Sequence, residues 1–401
     1  MCPPPLGRGY KGVIPSKHQI LPGLAEISLV HPSLNRLGGA ELYLLRALEA
    51  LKDAGHKVSL YTLDKTDWRR VSKTFDTWVR PDGEHWLQER PLELEGLHTW
   101  LLAATRYLGI LHKANSETLL TINNYGEALP HVAQISIIHS APLQSRRGNP
   151  YRIPQWPLAR HLHRAAPKLL GLKTSPLLVT NSHYTLRLLP EELRKQALVL
   201  HPPITVAPLN QQKDGRVVAV ARITPGKGLQ ALAALADMLP RVRFTLAGRT
   251  GPESARLVSQ LQGRHNLELL LNPPRERLLQ TLARGSIVLS TQEDEAFGMA
   301  VVEGMALGCI PLVCRGGGPW LDVLGGVEGV AGYGYSSLEE AAERIRLILE
   351  EEEHRCQLRR NAVERAKEFS LDRFREGIQG LVEEFINQEE WKHPYPQILE
   401  G

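Results

Sequence analysis

The chain is poor in cysteine and has no long apolar run. Four cysteines occur among its 401 residues, and no two of them form a CxxC pair. This usage predicts neither a cysteine zinc site nor a disulfide framework, and it is typical of a reducing cytoplasm. No stretch approaches the roughly 20 apolar residues of a membrane-spanning helix, and the first residues lack the apolar core of a secretory signal. We therefore expect a cytoplasmic protein.

The sequence also lacks a G-x-G-x-x-G turn after its first predicted strand, Ala25–His31. That turn marks dinucleotide-binding domains, so its absence disfavours a dehydrogenase. No motif of a nucleic-acid-binding domain is present, and we expect no nucleic-acid partner.

The length of the chain suits two domains of about 200 residues better than one core. We predict a leader over residues 1–24, a first domain over 25–205, a second over 206–370 and a final segment over 371–401. Residues 1–205 hold 25 Lys and Arg against 16 Asp and Glu, whereas the remainder holds 23 against 27. The first domain is therefore basic, and basic surfaces attract phosphates.

The most informative stretch is Thr291–Leu324, which follows a predicted strand at Ser286–Ser290. It predicts an acidic loop, a helix, a strand and a glycine loop. Such a βαβ unit places its charged loop at the carboxyl end of a strand, where open α/β sheets bind ligands. Glu295 lies in the loop, and Glu303 follows about two turns into an apolar helix. A buried carboxylate there needs a partner. A surface Glu at a helix end is the alternative for either residue taken alone.

Three further strand ends carry candidate residues. Strand Arg216–Ala221 leads into a glycine-containing loop with Arg222 and Lys227, two cations that suit a diphosphate. Strand Ala25–His31 leads into Gly38-Gly39 and a predicted helix from Leu42 to Ala54, whose free N–H groups would favour an anion. Another apolar strand delivers His139, which could equally be one more structural histidine.

Glu295 and Glu303, with seven residues between them and a glycine loop after them, resemble the C-terminal signature of the retaining family 4 nucleotide-sugar glycosyltransferases. EAFGMAVVEGMALGCIPLVCRGGGPWLDVL (Glu295–Leu324) is most similar to the lipid-linked-oligosaccharide mannosyltransferases of asparagine-linked glycosylation. HPSLNRLGGAELYLLRALEAL (His31–Leu51) resembles their first-strand motif. The resemblance implies an α/β protein of the GT-B fold: two Rossmann-like doubly wound domains facing a cleft, with a C-terminal helix crossing back to the first domain.

The resemblance also implies roles for single residues. His139 would lie beside the transferred sugar, Glu295 would bind the sugar hydroxyls, and Glu303 would accept the ribose hydroxyls. The donor diphosphate would be held by Gly38, Gly39, Arg222, Lys227, Gly298 and Met299.

Metal-dependent sugar transferases use an Asp-x-Asp metal site, and no such tripeptide occurs in this chain. We therefore expect neither a metal nor a cofactor. The expected donor is a nucleotide diphosphate sugar, with GDP-mannose first and UDP-hexoses next. The expected acceptor is a glycan or a polyprenyl-phosphate-linked glycan.

Residues 145–173 contain seven Lys and Arg, no acidic residue, and aromatic side chains among the leucines. This pattern suits peripheral attachment to an anionic surface on the cytoplasmic face of a membrane. A solvated basic helix is the equally weighted alternative.

Other functions remain open on the same two-domain scaffold. A sugar-nucleotide epimerase would use the same donor without extending a glycan, and a phosphorylase would carry a lysine-bound pyridoxal cofactor. A non-catalytic sugar-nucleotide-binding protein is disfavoured because Arg222, Lys227, Glu295 and Glu303 occur together.

Overall fold

The structure is a computed structural model that describes residues 25–91, 97–126, 132–140, 177–205, 209, 211–251 and 253–387. The predicted leader 1–24, the basic segment 145–173 and the end of the final segment lie outside the described residues.

The first half of the chain forms a seven-stranded sheet in the order β3-β2-β1-β4-β5-β6-β7. Its strands are β1 Glu26–Val30, β2 Lys57–Asp64, β3 Gly83–Gln88, β4 Leu120–Asn123, β5 Ile135–Ile138, β6 Leu177–Thr180 and β7 Leu198–Val199. The helices that accompany it are α1 Gly39–Asp53, α2 Trp68–Phe75, α3 Leu97–Glu117, α4 His183–Arg187 and α5 Glu191–Arg194.

The second half forms a six-stranded sheet in the order β10-β9-β8-β11-β12-β13. Its strands are β8 Val217–Val220, β9 Phe244–Gly248, β10 Leu267–Leu271, β11 Ile287–Ser290, β12 Ile310–Cys314 and β13 Tyr333–Tyr335. The helices are α6 Leu229–Met238, α7 Ser254–Leu261, α8 Arg275–Arg284, α9 Met299–Ala306, α10 Leu338–Glu350, α11 Glu352–Ala366 and α12 Leu371–Asn387.

All the strand pairs in both sheets are parallel. Each sheet reverses its strand order beside its own first strand, between β1 and β4 and between β8 and β11. Helices cover both faces, which explains why the strands are near-continuous apolar runs. In β8, for example, Val217 and Ala219 enter one core and Val218 enters the other. The two predicted parallel-sheet α/β halves are confirmed.

Helix α1 begins at Gly39, three residues before the predicted start at Leu42. The Glu41 carboxylate accepts a hydrogen bond from the Gly38 backbone N–H at 2.6 Å, so the first turn is stabilised by a side chain of its own. The helix buries an apolar face that includes Tyr43, Leu44 and Leu48.

The final helix, α12, packs on the first domain, as the resemblance implied. Phe374 and Ile378 are buried in the core that contains the residues of α1, and the Gln379 amide donates to the Ala50 carbonyl at 2.8 Å. Just before α12, Ile204 N–H donates to the Phe369 carbonyl at 2.8 Å, so the chain crosses between the halves twice at neighbouring points. Among the described helices, none has the length and apolar character needed to span a bilayer.

Replacing Phe374 with Ala should lower the free energy of unfolding by about 3–5 kcal/mol, because it leaves a cavity between α12 and the first-domain core. The Glu376→Ala change on the exposed side of the same helix should stay within about 0.5 kcal/mol of the parent protein. Urea unfolding midpoints measure both. Equal midpoints for the two variants would show that α12 does not depend on this contact.

Candidate functional site

Polar side chains collect where the first sheet reverses its strand order. His31 follows β1 and Asn124 follows β4, and both are buried. The His31 Nε2 atom lies 3.1 Å from the Glu41 carboxylate, and the Asn124 amide donates to the Ala40 carbonyl at 2.9 Å. A ligand crevice is expected at such a reversal, and here it is lined by a connected polar network.

Glu41 is a buried anion held by this network. Burial alone would raise its pKa, but the hydrogen bond and charge of His31, together with the backbone N–H of Gly38, outweigh burial and lower the pKa to about 2. The carboxylate therefore stays ionised at neutral pH. A Cβ at Gly38 would lie 2.8 Å from Glu41 Oε2, so a larger residue there would displace the carboxylate.

His139 follows β5, and its Nε2 atom lies 3.0 Å from Asn124 Oδ1. The ring meets the Tyr43 ring edge to face at 5.0 Å. Burial and the nearby His31 lower its pKa to about 3, although Glu41 acts in the opposite direction. His139 is therefore neutral at pH 7. Asn124 joins it to the Gly38–Glu41 turn, so two of the predicted parts of the site meet here.

The sequence did not predict a place in the site for His31, Glu41 or Asn124. The signal for His31 was present, because it ends an apolar strand as His139 does. Glu41 stands three residues after Gly38, the spacing of an N-terminal helix cap. No local pattern singles out Asn124, because its role depends on the neighbouring strand.

The reversal of the second sheet brings Lys227 and Glu295 together. Lys227 lies after β8 and Glu295 after β11, and the Lys227 Nζ atom is 2.8 Å from Glu295 Oε2. The side chains are 24% and 28% exposed, so the pair is open to a ligand. A Cβ at Gly228 would lie 2.2 Å from the Thr291 carbonyl oxygen, which shows how closely the two loops pack.

Arg222 lies on the same loop as Lys227 and is exposed. Within the described part of the chain, its side chain forms no ion pair, and its backbone carbonyl accepts a hydrogen bond from Thr224 N–H. The guanidinium is therefore available to an anionic ligand.

Glu303 is buried in α9 and has the partner that its surroundings require. Arg275, at the start of α8, donates from Nη2 to Glu303 Oε1 at 2.5 Å and from Nη1 to Oε2 at 3.0 Å. This bidentate geometry is among the stronger ion-pair arrangements. Burial alone would lower the pKa of Arg275, but Glu303 outweighs it and raises the pKa. Arg275 had no signal in the sequence, because it lies 28 residues before its partner.

The glycine loop between β12 and β13 supports the acidic loop. Gly318 N–H donates to the Glu295 carbonyl at 2.8 Å, and a Cβ at Gly318 would lie 2.0 Å from the Ala296 carbonyl oxygen. Gly298 caps α9 with a φ of +89°, in the region that favours glycine. The start of α9, with Gly298 and Met299, is thus fixed beside Glu295.

The two halves approach each other at these candidate residues. A Cβ at Gly39 would lie 3.2 Å from the sulfur of Met299. Nearby in the fold, Arg249 of the second half donates to the Thr74 hydroxyl of the first at 3.0 Å. The start of α1 therefore lies beside the start of α9, with the Met299 side chain packed against Gly39.

Asp322 forms a second joint between the halves. Its side chain is fully buried and lies in the short π-helical turn Pro319–Val323 of the second half. Its carboxylate accepts the backbone N–H groups of His183 and Tyr184 at 2.6 and 3.0 Å, at the start of α4 in the first half. His201 Nε2 lies 2.9 Å from the same carboxylate. An anion in this position stabilises a helix N-terminus.

The second half of the chain is similar to a known family in sequence, and most of the chain is similar to solved structures in fold. Residues 204–367 match the family described as glycosyl transferases group 1. The chain superposes on sucrose-phosphate synthase from Thermosynechococcus elongatus with a TM-score of 0.70 at 17% identity, covering 90% of this chain and 98% of that one. A glycosyltransferase involved in lipopolysaccharide biosynthesis superposes with a TM-score of 0.60 at 15% identity, covering 90% and 99%. The predicted GT-B fold is confirmed.

Two curated relatives share a name, GDP-Man:Man(3)GlcNAc(2)-PP-Dol alpha-1,2-mannosyltransferase. The Dictyostelium discoideum protein is 25% identical over 245 residues, which cover 53% of this chain and 48% of that protein. The Homo sapiens protein is 35% identical over 133 residues, which cover 33% of this chain and 27% of that protein. The chain thus matches about half of the first relative and about a quarter of the second.

The buried Glu41 predicts a specific acid sensitivity. Its pKa falls from 4.5 in the unfolded chain to about 2, so its stabilising effect is complete above pH 4.5 and is lost as the pH falls towards 2. The whole effect is on the order of 3 kcal/mol. Urea unfolding of the parent protein and Glu41→Gln, from about pH 7 to about pH 3, should show the difference in stability shrinking through that window. The exposed Glu376→Gln variant is the control, and a constant difference would contradict the assignment.

Proposed function

We propose that the protein is a retaining glycosyltransferase, because residues 204–367 match the family described as glycosyl transferases group 1. It moves a hexose from a nucleotide diphosphate sugar to a glycan or lipid-linked glycan acceptor. Mannose from GDP-mannose is the first assignment, since relatives from two organisms are named as GDP-mannose-dependent mannosyltransferases. UDP-hexoses are the second.

One observation carries the proposal. Lys227 and Glu295 meet at the strand-order reversal of the second sheet, and Met299 beside them faces Gly39 of the first half. In this proposal, one donor site holds a cation, a carboxylate and the starts of two helices. That is the arrangement that a diphosphate joined to a polar sugar requires.

The donor diphosphate is assigned to Arg222 and Lys227 and to the helix starts at Gly38, Gly39, Gly298 and Met299. In this assignment Lys227 exchanges part of its contact with Glu295 for a phosphate oxygen. Glu295 then turns to the sugar hydroxyls. The charge that develops on the leaving phosphate is met by groups already in place, so the proposal needs neither a metal nor a cofactor.

Glu303 is assigned to the ribose hydroxyls, which compete with Arg275 for its two oxygens. A carboxylate has about four lone-pair directions, so it can keep one guanidinium contact while it accepts from a hydroxyl. This proposal makes the Arg275 side chain, 25% exposed, the group that adjusts when the nucleotide binds.

His139 is assigned to the face of the transferred sugar. Its low pKa keeps it a neutral hydrogen-bonding group, not a cation beside the positive anomeric carbon. The acceptor oxygen attacks from the face that the phosphate leaves, and the departing phosphate takes its proton. This order of steps retains the anomeric configuration of the sugar without a dedicated protein base.

A lipid-linked acceptor would bring the protein to a membrane surface. We propose peripheral attachment on the cytoplasmic face through residues 145–173, which carry seven basic residues and no acidic one. A basic segment of this kind is attracted to anionic headgroups.

The experiment mixes the protein with GDP-mannose or a UDP-hexose and a lipid-linked glycan, and mass spectrometry detects an acceptor heavier by one hexose. Lys227→Ala and Glu303→Ala should each lower the transfer rate about 100-fold or more, because each removes a charge aimed at the donor. Lys57→Ala removes a cation of an exposed pair with Glu26 and should transfer at the parent rate.

Circular dichroism and thermal unfolding establish that each variant remains folded. Glu303→Gln serves as a second variant of the same shape, because Glu303→Ala leaves Arg275 without its partner. Near-parental turnover in both the Lys227 and Glu303 variants would refute the donor site. Donor consumption without a heavier acceptor would instead favour an epimerase or hydrolase.

A further inference from the structure

The joint between the two halves contains a cluster of metal-ligand type that the glycosyl transfer does not use. His183, His201 and Asp322 each offer one ligand atom, and these atoms lie within 4.8 Å of one another. They come from three separate segments: the start of α4, the segment after β7, and the π-helical turn after the glycine loop. None of the three belongs to the donor-binding residues proposed above.

We propose that His183, His201 and Asp322 form a zinc site that fastens the first half of the protein to the second. Two imidazoles and one carboxylate are a ligand set that zinc accepts, with a water molecule in the fourth position. Mg²⁺ and Ca²⁺ prefer oxygen ligands and are not expected to bind here.

The separation of two of the ligand atoms is close to the one that zinc needs. Zn–N and Zn–O bonds of about 2.0–2.1 Å in a tetrahedron separate two ligand atoms by about 3.3 Å. His201 Nε2 and Asp322 Oδ1 are 2.9 Å apart, so they need to part by only a few tenths of an ångström. His183 is exposed, so its side chain can turn inwards and also leaves a path for the ion.

The surroundings hold the ligands as the outer shell of a metal site does. The backbone N–H groups of His183 and Tyr184 orient the Asp322 carboxylate and use two of its about four lone-pair directions. The His201 ring packs against both Phe297 and Phe369, with centroid distances of 5.4 and 5.3 Å. The zinc ion would replace the proton between His201 and Asp322 and leave the helix cap intact.

The test is calorimetric titration of ZnCl₂ into the chelator-treated full chain, produced without a polyhistidine tag. We expect one equivalent to bind and the thermal unfolding temperature to rise with zinc concentration, because the metal binds only the folded joint. His183→Gln and His201→Gln should each weaken binding about 100-fold, in the range of losses seen when metal sites are disrupted. Asp322→Asn keeps the shape of the cap and should weaken binding in the same way.

His354→Gln is the matched control, since His354 pairs with Tyr333 in the second half and lies outside the cluster. It should bind zinc like the parent chain. Replacement by Co²⁺ should give the visible absorption of a tetrahedral site, and His201→Gln should lose it.

Absence of saturable binding would overturn the proposal, and Asp322 would then serve only as a helix cap. Equal affinity in the parent, His183→Gln and His201→Gln proteins would overturn it too, because zinc would then be bound elsewhere. Neither result bears on sugar transfer, so this proposal and the proposed function can fail separately.

Discussion

The arrangement of the whole molecule depends on the parallel pairing of the strands within each of its two sheets. Two parallel strands must be joined by a connection that returns the chain to the end of the sheet where the first strand began. Every loop that follows a strand therefore emerges at the same end of the sheet, at the carboxyl ends of the strands. Each sheet also reverses its strand order beside its first strand, which opens a crevice at that edge. His31, Asn124 and His139 lie at the crevice of the first sheet, and Lys227 and Glu295 lie at that of the second.

Close packing at glycines brings the candidate residues together. A side chain at Gly39 would press on Met299, and one at Gly318 would strike the backbone of Ala296, next to Glu295. Asp322 adds a specific joint, because a buried carboxylate of one half satisfies the N–H groups of a helix in the other. Buried anions without such partners are costly.

Three carboxylates of the candidate site each have a charged or hydrogen-bonding partner in the structure. Glu41 is held by His31, Glu295 by Lys227 and Glu303 by Arg275. The first pair is buried and stays as a structural support for the helix start near His139. In the second half, Lys227 and Glu295 are both partly exposed, whereas Glu303 is buried beside a partly exposed Arg275. A ligand can therefore exchange contacts with them without leaving a bare charge in the interior.

Much of the fold and part of the candidate site could be predicted from the amino-acid sequence. Apolar runs of strand length, the glycine loops and the spacing of Glu295 and Glu303 are local patterns, and local patterns predicted two parallel α/β halves and the second-half candidates. They misplaced the start of α1, because the cap depends on the Glu41 side chain turning back to Gly38. The sequence did not predict the roles of Asn124 and Arg275 or the pairing of Lys227 with Glu295. Their contacts join residues up to 93 positions apart. Such contacts follow from strand order and domain approach, and the sequence carries no period or spacing that records either.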